Sequence, residues 1–183
     1  MPPAASRTAA VSVALALAAG LGAGAGGCGG SGTEAKTWAK SVCTALTPWR
    51  SEIADLTAKA QQQLSVAKTA VQTKTNVVAL LAGAEESSEK ARRGVADAGV
   101  PDVSGGDKIA KHFAESLEKA RDAYGHAKTA VSGLSTANDK AFYSNVKTTF
   151  DTLRDEYAKS ALDTDNVGSK DLQKAFDEVP ECR

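Results

Sequence analysis

Beyond residue 34, apolar side chains recur every three or four positions through nearly the whole chain. That spacing restricts it to helices with one buried face. The first stripe runs Trp38, Val42, Leu46 (or Ala45), Trp49, Ile53, Leu56, Ala60 and Leu64. Pro48 interrupts it and is expected either to bend the helix or to begin a new one with Thr47 as N-cap. A second stripe comprises Ala67, Val71, Val78, Leu81, Ala84, Ala91, Val95 and Ala98, and stops at Gly99-Val100-Pro101, where glycine closes a helix and proline forbids its continuation. The third comprises Ile109, Phe113, Leu117, Ala120, Tyr124, Ala127 and Val131 and ends near Gly133. A fourth contains Phe142, Val146, Phe150, Leu153, Tyr157 and Ala161, with caps available from Ser135 to Asn138. A short last helix, about Ser169 to Glu178, carries Leu172, Phe176 and Val179. Four stripes of ~25 residues with short connections predict an all-α fold, an antiparallel four-helix bundle with a short extra C-terminal helix. Many stripe positions are alanine, so the helices are expected to approach closely over a thin core.

The first 27 residues do not share this pattern. Arg7 is their only charged side chain, Ala9 to Leu21 is an uncharged apolar run, and Gly22 to Gly27 is small and flexible. These are the three parts of an export signal. Cys28 follows, and Cys28-Gly29-Gly30-Ser31-Gly32 has the form of a lipidated cysteine on a tether. A lipobox usually places Leu, Val or Ile three positions before the cysteine, where this chain has Ala25. Two other outcomes remain open: cleavage at Ala23-Gly24-Ala25 with release of a soluble protein, or retention of the apolar run as an anchor. The run is poor in strongly apolar residues for a span of ~20. The expected organisation is a cleaved signal peptide over 1–27, a lipidated tether over 28–33 and a helical domain over 34–183.

Cysteine arithmetic bears on the same point. The chain has three cysteines, Cys28, Cys43 and Cys182, and an exported protein with an odd number leaves one thiol to explain. Lipidation of Cys28 removes it and leaves Cys43 and Cys182 as a pair able to form a disulfide outside the membrane. The alternative is two unpaired thiols.

Without residues 1–27 the chain has 156 residues, enough for one domain with its own core. It then carries 21 Lys and Arg against 22 Asp and Glu. This balance argues against a nucleic-acid partner and against a polybasic membrane surface. Side chains with catalytic potential do not form a pattern. His112 and His126 lack the Glu-x-x-His spacing that puts carboxylate and imidazole on one helix face, so no metal or other cofactor is expected. There is no nucleophile elbow. Ser104-Gly105-Gly106-Asp107-Lys108 lacks phosphate-loop spacing and reads as a loop opening helix 3, not as an anion site. The acids Glu85, Glu86, Glu89, Asp155 and Glu156 stand beside Lys90, Arg92, Arg93, Arg154 and Lys159. That is the pattern of solvated helix faces with ion pairs one turn apart, not of a hydrolytic pair. Trp38, Trp49, Phe113, Tyr124, Phe142, Phe150 and Tyr157 all lie on the stripes, as core residues or as the walls of a pocket between helices.

Three segments resemble a known group in combination: Trp38-Ala39-Lys40-Ser41-Val42-Cys43, Ala98-Gly99-Val100-Pro101 and the lone C-terminal Cys182. Together they are similar to the small secreted lipoproteins of actinobacteria, over most of the chain that follows the leader. The resemblance implies a cell-surface helical domain with one disulfide, and no activity. The expectation is therefore a non-enzymatic lipoprotein that interacts with envelope components and is anchored through Cys28 to the outer face of the cytoplasmic membrane. The alternatives are a secreted form, and a binding protein that holds a small apolar or amphipathic ligand between its helices. Its partners would be the membrane through Cys28 and an envelope protein or small ligand. A tether of five or six residues would keep the domain within ~20 Å of the membrane.

Overall fold

The computed structural model describes residues 32–160 and 167–183; the leader and Cys28 lie outside the described residues. Its helices are α1 (Ala35–Val66), α2 (Ala70–Asp97), α3 (Gly106–Gly133), α4 (Asp139–Tyr157) and α5 (Lys170–Glu178). Single 3-10 turns follow α4 at Ala158–Ser160 and α5 at Pro180–Cys182. Successive long helices pack on one another, α1 on α2, α2 on α3 and α3 on α4, which gives the antiparallel bundle with its short C-terminal helix. No helix among the described residues is long and apolar enough to cross a membrane.

The helix ends follow from local chemistry. Glu34 caps α1 by accepting from the backbone N–H groups of Lys36 and Thr37 at 3.1 and 2.9 Å. Thr69, Asn138 and Ser169 do the same for Gln72, Ala141 and Leu172. The glycine-rich segment before α3 is a loop and cap, with Gly105 as N-cap in the left-handed region at φ 73° and no side-chain bond. Gly106 next to it must be glycine, because a Cβ there would lie 2.0 Å from the Pro101 carbonyl oxygen.

In the early stripes one of the two alternatives at Pro48 is excluded, and the phase of the second stripe is corrected. Pro48 begins no new helix: α1 is helical on both sides of it. Thr47 caps nothing, and its hydroxyl donates to the Glu181 carbonyl at 2.9 Å. Tertiary packing along a 32-residue helix outweighs the one lost backbone bond. The second stripe begins in another phase. Ala70, Thr73 and Val77 face the core, whereas Val71 is 59% exposed. The Thr69 cap sets the start of α2, and with it which side of the first turn points inward.

The core has two parts. The part near the start of α1 joins Trp38, Val42 and Leu46 to Val95, Phe113, Leu172 and Phe176. Trp38 and Phe113 meet edge to face at 5.5 Å, and Phe176 stacks on Phe113 at 6.0 Å. The other part gathers Val77, Leu81, Ala123, Ala127, Val131 and Leu153. The shorter α4, of 19 residues, serves the second part, and α5 packs on α1 and completes the first. Alanine and glycine do bring helices close: a Cβ on Gly94 of α2 would lie 2.8 Å from that of Ala45 on α1.

Both ends of the helical domain are fastened to this structure. Thr33 donates its N–H to the Val100 carbonyl at 2.6 Å and accepts from Asp102 N–H at 2.7 Å, forming an isolated bridge to the α2–α3 connection. Its hydroxyl adds a bond to the Ala98 carbonyl at 3.2 Å. Thr33, expected as the last tether residue, is thus part of the folded domain. At the other end Cys182 is joined to Cys43 in a disulfide.

Candidate functional site

The structure brings Cys43 and Cys182 together, and sets His126 beside Glu156, but gathers no larger cluster of the sequence candidates among the described residues. His112 is exposed, and His126, also exposed, has its Nδ1 3.0 Å from Glu156. Glu85 pairs with Lys128 of α3, and Asp155 with Arg154. Glu89 is held by three arginines: Arg92 at 2.7 Å and Arg93 at 2.7 Å on its own helix, and Arg121 of α3 at 3.0 Å. The Arg92 hydrogen bond leads in holding the Glu89 carboxyl far below the usual carboxylate range, with Arg93 and Arg121 adding to it. The same network, led by Asp122, raises Arg121. Glu85 and Glu89 join α2 to α3 and Glu156 joins α4 to α3, whereas the Asp155 pair lies exposed on α4 alone. Among the described residues no group of three His, Cys, Asp or Glu side chains converges as a metal site.

Two depressions lie on either side of Trp49. Trp49 is 8% exposed, and its indole N–H donates to Ser88 Oγ at 3.1 Å, while the Ser88 hydroxyl donates to the Ala84 carbonyl at 2.8 Å. This relay fixes the ring between two depressions. One, of about 430 Å³, lies between α1 and α3 and is bordered by Ile53, Leu117 and Tyr157. Tyr157 there meets Tyr124 with ring centres 5.6 Å apart, and burial pushes both phenols up from their ordinary value.

The second is a groove of about 480 Å³ between α1 and α2, within the range of small-ligand sites. Ala45, Pro48 and Trp49 from α1 and Ala91 and Gly94 from α2 make it mainly apolar. The helices touch at Gly94–Ala45, within the groove's floor, and again beyond it at Gly83, where a Cβ would lie 2.9 Å from Leu56.

Its polar groups have one character. The Ser41 hydroxyl donates to the Thr37 carbonyl at 3.1 Å, that of Thr44 to the Lys40 carbonyl at 2.8 Å, and that of Ser87 to Glu52 at 2.9 Å. Each hydroxyl spends its single proton inside the protein and keeps lone pairs. Pro48 has no N–H, so the Thr44 carbonyl one turn earlier loses its regular helical donor. Thr44 and Pro48 both line the groove. Lys40 and Lys90 stand at the rim, Lys40 paired with Glu181 at 3.0 Å.

Sequence reasoning offered Trp49 as a wall of a pocket between helices but did not locate this groove. Its signals were present, in a proline on a buried stripe and in Ser87 and Ser88 at core-facing positions of α2, but only the pairing of α1 with α2 joins them. No family model, no curated protein and no solved structure matches this chain.

Proposed function

We propose that this protein is a non-enzymatic lipoprotein of the cell envelope, anchored through Cys28, whose helical domain works close to the membrane surface. The fastening of Thr33 to Val100 and Asp102 carries the reading. With Gly32 and Thr33 folded onto the domain, the tether shrinks to residues 28–31, a reach of ~14 Å at 3.3–3.6 Å per residue. Two acyl chains on Cys28 would suffice for stable anchoring. A clickable fatty acid fed to expressing cells is expected to label the protein, and Cys28→Ala is expected to abolish the label and release the domain from membranes. Persistent labelling of the variant overturns the anchor.

A second reading, ligand binding between helices, is favoured by the groove beside Trp49. It is a mainly apolar depression of ligand size with a fixed aromatic wall and a few polar groups. The two readings are compatible, since an anchored domain would present this groove on the half of α1 nearest its tether.

A further inference from the structure

We infer that the α1–α2 groove takes a ligand with an N–H donor, an amine or amide, on an apolar body, and that the Thr44 carbonyl and the Glu52 carboxylate receive it. The inference rests on the ligand-binding reading and gives it a chemical class. Three observations converge. The floor of Ala45, Pro48, Trp49 and Gly94 accepts apolar surface and forms no hydrogen bonds to a ligand, since the one indole N–H is held by Ser88. The hydroxyls of Ser41, Thr44 and Ser87 have all turned their protons to protein acceptors. The Thr44 carbonyl lacks its helical donor because of Pro48, and Glu52 receives only the Ser87 proton among the described side chains.

Inside the rim lysines Lys40 and Lys90, the polar side chains of the groove offer mainly acceptors, which a donor satisfies. An acceptor-only ligand would leave these lone pairs facing others, with desolvation uncompensated. The rim lysines supply the one opposing influence. Lys40 is engaged by Glu181, so Lys90 remains the cation available to an anionic ligand.

The test uses three probes with one tail: octylammonium, octanol and octanoate. Each is titrated into the full chain and followed by amide chemical shifts and tryptophan fluorescence. Octylammonium is expected to shift residues 41–52 and 87–94 and to bind about tenfold or more tightly than octanoate, the ratio of one charge-assisted hydrogen bond. Pro48→Ala returns an N–H to the Thr44 carbonyl. It is expected to weaken octylammonium binding about fivefold or more while the melting temperature holds or rises. Glu52→Gln, on an exposed face, is expected to weaken it as well. Octanoate binding as tightly as octylammonium in the groove, or Pro48→Ala and Glu52→Gln both without effect, overturns the donor preference and leaves ligand binding standing. If no probe shifts the groove, both fall.

Discussion

The disulfide offers the largest single perturbation of this fold. Cys43 sits in the third turn of α1, Cys182 ends the chain's last 3-10 turn, and 139 positions separate them. Closing a loop of that size removes entropy from the unfolded chain worth about 5 kcal/mol at 25 °C. A domain of this length loses ~2–4 °C of melting temperature per kcal/mol, so opening the bond should lower Tm by roughly 10–20 °C. The packing bears on how the loss is distributed. Beyond Gly168, Leu172, Phe176 and Val179 join the core of Trp38 and Phe113, so α5 and the last turn lean chiefly on α1, with Phe176 stacked on Phe113 of α3. The reduced protein therefore keeps an apolar reason to hold α5, and the lower end of the range is the safer expectation if the segment stays docked. The assay is a melt followed by helical circular dichroism with and without reductant, in a Cys28→Ser background so that thiol titration counts only the two freed sulfurs. Cys43→Ser/Cys182→Ser should melt with the reduced protein. A shift under about 3 °C, with both thiols shown to be free, would refute the reasoning.

Two further perturbations test other parts of the fold. Glu89 has a carboxyl held below its ordinary value near 4.5 by Arg92, Arg93 and Arg121, so its contribution is complete above that value and is lost as pH falls through the folded-state value. Glu89→Gln should therefore cost about 1–3 kcal/mol in denaturant melts at pH 7, with the gap from wild type narrowing below about pH 4; a gap constant with pH would contradict the network. Gly94→Val, which drives a branched side chain against Ala45, should cost about 1–3 kcal/mol; unchanged urea unfolding would show that α1 and α2 are less closely packed than the geometry requires.

Helical periodicity carried the fold because long helices with an apolar face leave few alternatives. Three stripes placed their buried residues well: Trp38, Val42 and Leu46 on α1, Phe113, Leu117 and Ala120 on α3, Leu172 and Phe176 on α5. The errors lie where packing or capping overrides local preference. Pro48 is a helix breaker by intrinsic propensity, yet the helix passes through it, because burial on both sides outweighs the missing bond. Val71 looks like a core residue until the Thr69 cap sets the phase of α2. The groove was hidden for a different reason. Pro48 announces a carbonyl without its helical donor, but the direction in which each hydroxyl spends its proton, and the facing of α1 by α2, are not written in residue identity. Arg121 was likewise invisible as a partner of Glu89, since 32 residues separate them and only the α2–α3 pairing brings them together.

The bridge at Thr33 also decides how the domain would respond to being pulled. A chain that led straight into α1 would let tension at its N-terminus peel the helix away turn by turn. Here the pull arrives at two backbone bonds to Val100 and Asp102 before it reaches the first turn of α1. Tension is therefore shared between α1 and the α2–α3 connection, while the Cys43–Cys182 crosslink prevents α1 from parting with the C-terminus. Under the proposed lipid anchor, a moving membrane would drag this domain as one body, with its helices kept in register.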